Sequence, residues 1–179
     1  AEHIGFHIRH LIKGVLMRTI IQNGTIVSDT AAFRADLLLE DGVVKAVGAG
    51  LSVPDAQVID ASGKYVLPGA VDVHTHMDLQ AGAHRAVDDF YTGTVAAACG
   101  GTTTIVDFGT QYEGESLADG LRNWHEKADG RCSCDYGFHM SISDWNPSVS
   151  GELDDMMEEG ITSFKLYMTY DTQVDDKTI

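Results

Sequence analysis

The sequence is poor in positive charge and in long apolar runs, and each scarcity argues against a class of protein. It has 12 Lys and Arg against 27 Asp and Glu, which gives a formal net charge of −15. That balance argues against nucleic acid or an anionic membrane surface as a partner. No apolar run approaches the roughly 20 residues of a membrane-spanning helix, so no membrane association is predicted. With 44% hydrophobic and 22% charged residues, the composition is typical of a globular protein with a core.

Cysteine is also scarce. The three cysteines, Cys99, Cys132 and Cys134, are odd in number, and the CSC spacing is too tight for an easy mutual disulfide. This usage favours a reducing, cytoplasmic setting over secretion. The CSC pair is compatible with half of a metal site, but no second cysteine pair exists to complete one. Core or surface thiols are therefore the favoured interpretation.

The first part of the chain is patterned as strands after a short leader. Residues 1–16 lack the arrangement of a signal peptide and are interpreted as a leader outside the folded domain. Residues 17–68 contain short β-prone runs, and the Asn-Gly pair at 23–24 and the Asp-Gly pair at 41–42 are both predicted to be hairpin turns. This part is predicted to be a small antiparallel β unit with no chemistry of its own.

From Gly69 onward, strand-like and helix-like segments alternate. The strand-like runs are VDVHTH, TTTIVDF, CDYGFHMSI and ITSFKLYMTY, and helix-like stretches separate them. Such alternation predicts βαβ units and a parallel sheet, hence an α/β barrel or a doubly wound sheet. Residues 69–179 are expected to supply these four strands. A complete (β/α)₈ barrel takes about 250 residues, so if the sheet is a barrel, the chain is expected to stop near its middle.

Two histidines stand at the end of the first of these strands. In a β-strand, residues i and i+2 point to the same face, so His74 and His76 are expected to lie side by side, with Asp72 on the same face. Two neutral imidazoles that converge suit a transition metal such as zinc. A pair of partly exposed histidines at a strand edge is the alternative, which the spacing alone leaves open.

A lysine interrupts the last apolar strand. Lys165 is flanked by Phe164 and Leu166, and burial disfavours the charged form of an amine. A neutral lysine amine reacts with carbon dioxide to give a carbamate, an anionic oxygen ligand able to bridge two metal ions. A lysine that extends from the strand end towards water is the alternative reading of the same pattern.

Several of these segments together resemble one enzyme family. GAVDVHTH, VDDFYTGTVAAACGGTTTIVDF, DYGFH and GITSFKLYMTY are similar to the cyclic amidohydrolases, in particular the dihydropyrimidinase and hydantoinase branch with its phenylhydantoinase-like members. The likeness runs from Met17 to Ile179. It implies a metal-dependent (β/α)₈ TIM-like barrel, here its first half, preceded by part of a small β-sandwich. The implied activity is zinc-dependent opening of hydantoins or dihydropyrimidines to N-carbamoyl amino acids.

The resemblance also implies roles for four residues. His74 and His76 match the paired histidine ligands, Lys165 matches the carbamylated lysine that bridges two zinc ions, and Tyr170 matches a tyrosine that hydrogen-bonds the developing oxyanion. From its position alone, Tyr170 is equally a packing residue. The implied partners are a small cyclic amide or ureide substrate and further copies of the chain, because relatives are commonly homotetramers.

The resemblance is incomplete. In the family, the remaining metal ligands come from later strands, and none of the other histidines of the patterned region, His84, His125 and His139, matches a ligand position. Allantoinase and dihydroorotase share the histidine pair and the lysine and are alternative activities. A catalytically silent scaffold relative and an inactive fragment are the further alternatives, although retention of both histidines and Lys165 favours an enzyme.

Overall fold

The structure is a computed structural model that describes residues 17–167. These residues divide into two compact units, and the boundary lies between Pro68 and Gly69. The leader at 1–16 and the candidate residue Tyr170 lie outside the described residues. None of the helices in the described part of the chain has the length and apolar character needed for a membrane span.

The first unit is a five-stranded sheet. Its strands are β1 (Arg18–Val27), β2 (Ala32–Glu40), β3 (Val43–Gly48), β4 (Gln57–Asp60) and β5 (Tyr65–Val66). The order is β3-β2-β1-β4, and β5 also pairs with β1. Ile20 and Leu38 are its buried apolar side chains within the strands.

The predicted hairpin at Asp41-Gly42 is confirmed. Strands β2 and β3 pair in antiparallel fashion on either side of it. Asp41 has φ of 48° and Gly42 has φ of 79°, as a two-residue turn with left-handed backbone at both positions requires.

The predicted hairpin at Asn23-Gly24 is wrong, because β1 continues through both residues. The pairing of β1 with β2 shifts register between Ile21 and Gly24, and Asn23 has φ of 63°. The pair therefore forms a β-bulge. The true turn follows Val27 and contains Ser28, whose Oγ accepts hydrogen bonds from the amides of Thr30 and Ala31. A serine hydroxyl that bonds nearby amides stabilises a turn locally.

The prediction of a wholly antiparallel unit is also wrong, because β4 and β5 run parallel to β1. After β3, the chain crosses over the sheet and returns beside β1 in the same direction. The Asp36 carboxylate accepts the Leu51 amide at 3.1 Å, and the Gln22 side chain donates to the Leu51 carbonyl at 3.0 Å. These two contacts fix the path of the crossover.

The second unit alternates strands and helices as predicted. Its elements are β6 (Ala70–Thr75), β7 (Gln80–Ala81), β8 (His84–Arg85), α1 (Phe90–Cys99), β9 (Thr102–Gln111), α2 (Leu117–Ala128), β10 (Asp135–Ile142), α3 (Pro147–Gly151), α4 (Leu153–Glu158) and β11 (Phe164–Leu166). Strands β6, β9, β10 and β11 form one parallel sheet in chain order. This arrangement fits part of a (β/α)₈ barrel, and it brings all four carboxyl ends to one edge.

The third predicted helix is divided into two. Helix α3 begins at Pro147, earlier than the apolar pattern indicated, because the Asn146 side chain caps the amides of Ser148 and Val149. Proline at the first helical position favours the same start. Helix α4 follows directly and ends before Gly160.

Side chains of the strands alternate between a face that packs on the helices and a face that carries the candidate site. The helix-facing core contains Phe90, Ile105, Leu117, Leu121, Trp124, Phe138, Met140 and Ile142. Phe108 and His139 alternate with these positions along β9 and β10. Polar candidates therefore gather on the face opposite the helices.

Candidate metal centre

His74 and His76 converge at the carboxyl end of β6, as the sequence predicted. Their Nε2 atoms lie 3.2 Å apart, and their rings meet edge to face with centroids separated by 5.1 Å. Two nitrogens that share one tetrahedral zinc ion at about 2.0–2.1 Å lie about 3.3 Å apart. The spacing of the histidine pair therefore fits two ligands of one metal ion.

The ring of Phe108 lies at the centre of the candidate site. Its centroid is 4.7 Å from that of His74 and 5.1 Å from that of His76. On its other sides are the His139 ring at 4.8 Å and the Lys165 Nζ at 4.2 Å. The structure thus brings Lys165 and the histidine pair around one aromatic ring, although β6 and β11 lie at opposite edges of the four-stranded sheet.

Lys165 lies half-buried on β11, where it pairs in register with Ser141 of β10. Its neighbours Phe164 and Leu166 pack against the helix-facing core, so the lysine points to the opposite face. Its Nζ is 4.2 Å from the Phe108 ring and 5.0 Å from the Tyr167 ring. The amine therefore contacts aromatic faces within the site, as a lysine directed towards the histidine pair would.

His76 has the environment of a neutral imidazole. Burial lowers the pKa of His76 below its ordinary value, and the positive charge that Lys165 carries as an unmodified amine lowers this pKa further, while Asp107 opposes the change. The neutral ring is the form that binds metals. Its Nδ1 is buried and has no hydrogen-bond partner among residues 17–167, which is unusual for a buried polar atom.

A buried carboxylate fixes the chain on both sides of His76. Asp107 on β9 is fully buried, and its Oδ2 accepts hydrogen bonds of 2.8 Å from the Thr75 hydroxyl and from the Met77 amide. Its Oδ1 accepts the Trp124 indole N–H at 3.0 Å and the Phe108 amide at 2.9 Å. The Asp107 side chain faces the helices, and two of its partners, Thr75 and Met77, flank His76. This carboxylate therefore holds the end of β6 against β9 and α2.

Sequence reasoning missed Asp107 and Phe108 as parts of the site. The signal for Asp107 is a carboxylate inside the apolar run TTTIVDF, where a buried charge requires several hydrogen-bond donors. Nothing in the sequence marks Phe108, since a phenylalanine in a strand is ordinary core material.

The remaining histidines take different positions. His84 lies exposed on β8, and His125 on α2 contacts Asp129 at 3.0 Å, within the helix-facing half of the unit. His139 lies against Phe108, but both of its ring nitrogens have partners, the Val73 carbonyl and the Ser163 hydroxyl. Between Met17 and Tyr167, no group of three or more His, Cys, Asp or Glu side chains could hold a metal.

Known proteins resemble this chain closely in sequence, although no family model matches it. A D-hydantoinase from Streptomyces coelicolor is 52% identical over 158 residues, which cover 86% of this chain and 34% of that protein. A D-hydantoinase from Geobacillus stearothermophilus is 48% identical over 166 residues, which cover 91% of this chain and 35% of the relative. The chain thus spans about a third of the length of these curated relatives.

The fold is shared as well. The crystal structure of a dihydropyrimidinase from Brevibacillus agri matches 90% of this chain with a TM-score of 0.87 at 47% identity, and the match covers 36% of that structure. Sequence identity near one half, together with the same fold over nearly all of the chain, indicates common descent. The chain, which matches about a third of the length of these relatives, belongs to the D-hydantoinase and dihydropyrimidinase family of cyclic amidohydrolases.

Proposed function

We propose that the protein containing this chain hydrolyses the cyclic amide bond of hydantoins or dihydropyrimidines and releases N-carbamoyl amino acids. The observation that carries the proposal is the 3.2 Å approach of the His74 and His76 Nε2 atoms, next to the ring that Lys165 also contacts. The relatives named above, D-hydantoinases and a dihydropyrimidinase, support the same reaction.

The metal centre is proposed to hold two zinc ions. His74 and His76 supply imidazole nitrogens, and Lys165 supplies a bridging carbamate. The carbamate forms when the neutral Nζ attacks carbon dioxide, which creates an N–C bond and releases one proton. Bound zinc supplies a Lewis acid for the ring carbonyl and an activated water near neutral pH.

The side chains of the site orient the reaction and stabilise its charge. Phe108 packs against both imidazoles and under the Lys165 amine, so its ring restricts their rotation. Tyr170, which lies outside the described residues, is proposed to donate its hydroxyl hydrogen to the oxyanion that develops on the ring carbonyl. Such a donor stabilises the transition state more than the substrate.

The partners follow from the same proposal. The substrate is a small cyclic amide or ureide, and the assembly is proposed to be a homotetramer, as the family resemblance implies. A cytoplasmic setting is supported by the state of the three cysteines, which are free thiols.

The proposal is tested by ring opening followed by ultraviolet absorbance. The full-length, zinc-loaded protein is assayed with hydantoin, dihydrouracil, allantoin and dihydroorotate, beside a His74→Ala control. We expect turnover of hydantoin or dihydrouracil that the control loses. Preference for allantoin or dihydroorotate would contradict the substrate assignment, and absence of turnover with every substrate would favour a silent relative.

A further inference from the structure

His139 makes two hydrogen bonds that connect the two ligand-bearing strands. Its Nε2 lies 2.9 Å from the Val73 carbonyl oxygen, in the residue before His74. Its Nδ1 is hydrogen-bonded to the Ser163 hydroxyl, two residues before Lys165. One imidazole on β10 therefore contacts the chain next to the histidine pair and the chain next to the lysine.

These contacts define which nitrogen of the His139 ring carries the hydrogen when the ring is neutral. A carbonyl oxygen can only accept, so the Nε2 must carry a hydrogen and donate it to Val73. The Nδ1 of the neutral ring is then an acceptor, and the Ser163 hydroxyl donates to it. Neither nitrogen retains a free lone pair for a metal, so His139 is excluded as a ligand in this geometry although it lies 4.8 Å from Phe108, centroid to centroid.

Within residues 17–167, strands β6 and β11 are not paired with each other by main-chain hydrogen bonds. Strands β6 and β11 lie at the two edges of the sheet, with β9 and β10 between them. The ladder between β6 and β9 shifts register between Asp72 and Thr75, so Val73 lies within a break in the pairing. His139 reaches across β9 to the carbonyl in that break, while the Met140 amide donates to the Ser163 carbonyl at 3.0 Å.

We infer that His139 is a positioning residue that fixes the distance between the histidine pair on β6 and Lys165 on β11. The two hydrogen bonds are contacts of the structure itself. The role of His139 at a shared metal centre rests on the proposed function. Residues that orient ligands through hydrogen bonds change metal affinity when they are replaced. His139 acts on the ligands through Val73 and Ser163 rather than by touching the metal.

The test compares three variants of the full-length protein with the wild type. His139→Phe keeps a ring beside Phe108 but removes both hydrogen bonds, and His139→Gln retains a donor and an acceptor. His125→Phe is the matched control, because it makes the same substitution at a histidine of α2 that also contacts an aromatic ring, Phe138. Zinc dissociation constants are measured by competition with a chromophoric chelator, and stability is measured by urea unfolding.

We expect His139→Phe to weaken zinc binding by about 10- to 100-fold and His139→Gln to retain most of the wild-type affinity. We expect His125→Phe to lose about as much stability as His139→Phe but to keep the wild-type zinc affinity. Unchanged zinc affinity in His139→Phe, or an equal loss in His125→Phe, would overturn the inference.

A second measurement needs no zinc. Long-range ¹H–¹⁵N spectra of the zinc-free wild type report the tautomer of His139, and the structure requires the hydrogen on Nε2. A hydrogen on Nδ1 alone would overturn the connection to Val73. Absence of zinc binding by the wild type would instead overturn the proposed function, and this tautomer would then decide the inference about His139.

Discussion

The carboxylate of Asp107 accepts a 2.8 Å hydrogen bond from the main-chain amide of Met77, the residue that follows His76. The same oxygen accepts the Thr75 hydroxyl, so one buried atom fixes both neighbours of the histidine. The position of the metal-ligand candidate is therefore set by the packing of β6 against β9, and loss of this carboxylate should affect both stability and the site.

We predict that Asp107→Asn lowers the free energy of unfolding by about 2–5 kcal/mol. In one orientation of the asparagine amide, its NH₂ group faces the Met77 N–H, and in the other it faces the N–H groups of Trp124 and Phe108. Each buried donor left unpaired costs about 1–3 kcal/mol. Urea unfolding measures the change. Asp155→Asn, at an exposed carboxylate of α4, is the control and should change stability little. Equal stability of the two variants would show that Asp107 does not hold the strand end.

Helix α2 approaches β9 so closely that only glycine fits at position 120. A Cβ added to Gly120 would lie 2.5 Å from the Met140 Cε and 3.0 Å from the Thr110 carbonyl oxygen. The methionine end can move, but the backbone of β9 cannot move without a shift of the strand. We predict that Gly120→Ala lowers the free energy of unfolding by about 1–3 kcal/mol, although alanine is the better helix former.

Gly151 provides the comparison for Gly120. A Cβ at Gly151 in α3 meets nothing within 4 Å, so Gly151→Ala should leave stability unchanged or raise it by up to about 1 kcal/mol. Both variants are measured by thermal and urea unfolding. A stabilising Gly120→Ala would contradict the close packing of α2 on β9.

The cysteines are predicted to differ in reactivity. Burial raises the pKa of Cys132 to about 12 and also raises the pKa of Cys134, whereas Cys99 is exposed at the end of α1. At pH 8 a thiol with that pKa is ionised to about one part in ten thousand, and the thiolate is the reactive form. Iodoacetamide should therefore modify Cys99 first. Peptide mass spectrometry measures the order, with urea-unfolded protein as the control in which all three thiols react.

Lys165 is compared with Lys127, because each lysine lies over an aromatic ring. The Lys127 Nζ is 3.9 Å from the centroid of Trp124, a residue of the helix-facing core, and the Lys165 Nζ is 4.2 Å from the Phe108 ring centroid. We predict that Lys165→Ala strips bound zinc from the full-length protein, because it removes the bridging ligand, whereas Lys127→Ala retains it. Elemental mass spectrometry measures zinc per chain. Full zinc content in Lys165→Ala would refute the bridging role.

The sequence predicted the parts of the fold that depend on local patterns. Alternating apolar segments predicted the four parallel strands, and a period of two predicted that His74 and His76 share a face. These features depend on residues near one another in the chain, where side-chain direction follows from backbone geometry. The same reasoning predicted the Asp41-Gly42 turn.

The features that the sequence did not predict depend on contacts between distant segments. Asn23-Gly24 forms a bulge because Ser28 stabilises a later turn and the strand pairing continues through the glycine. The roles of Asp107 and His139 depend on partners brought near by the sheet order, which neither motif nor spacing reveals. Only the assembled sheet brings Val73, His139 and Ser163 together.

The most direct test of the metal centre is the zinc affinity of the wild type, His74→Ala and His76→Ala, with His84→Ala as the control at an exposed histidine of β8. The affinity is measured by competition with a chelator under identical conditions. We predict that each of the first two substitutions weakens or abolishes a zinc site that His84→Ala retains. Wild-type affinity in both His74→Ala and His76→Ala would contradict it, because zinc would then bind elsewhere.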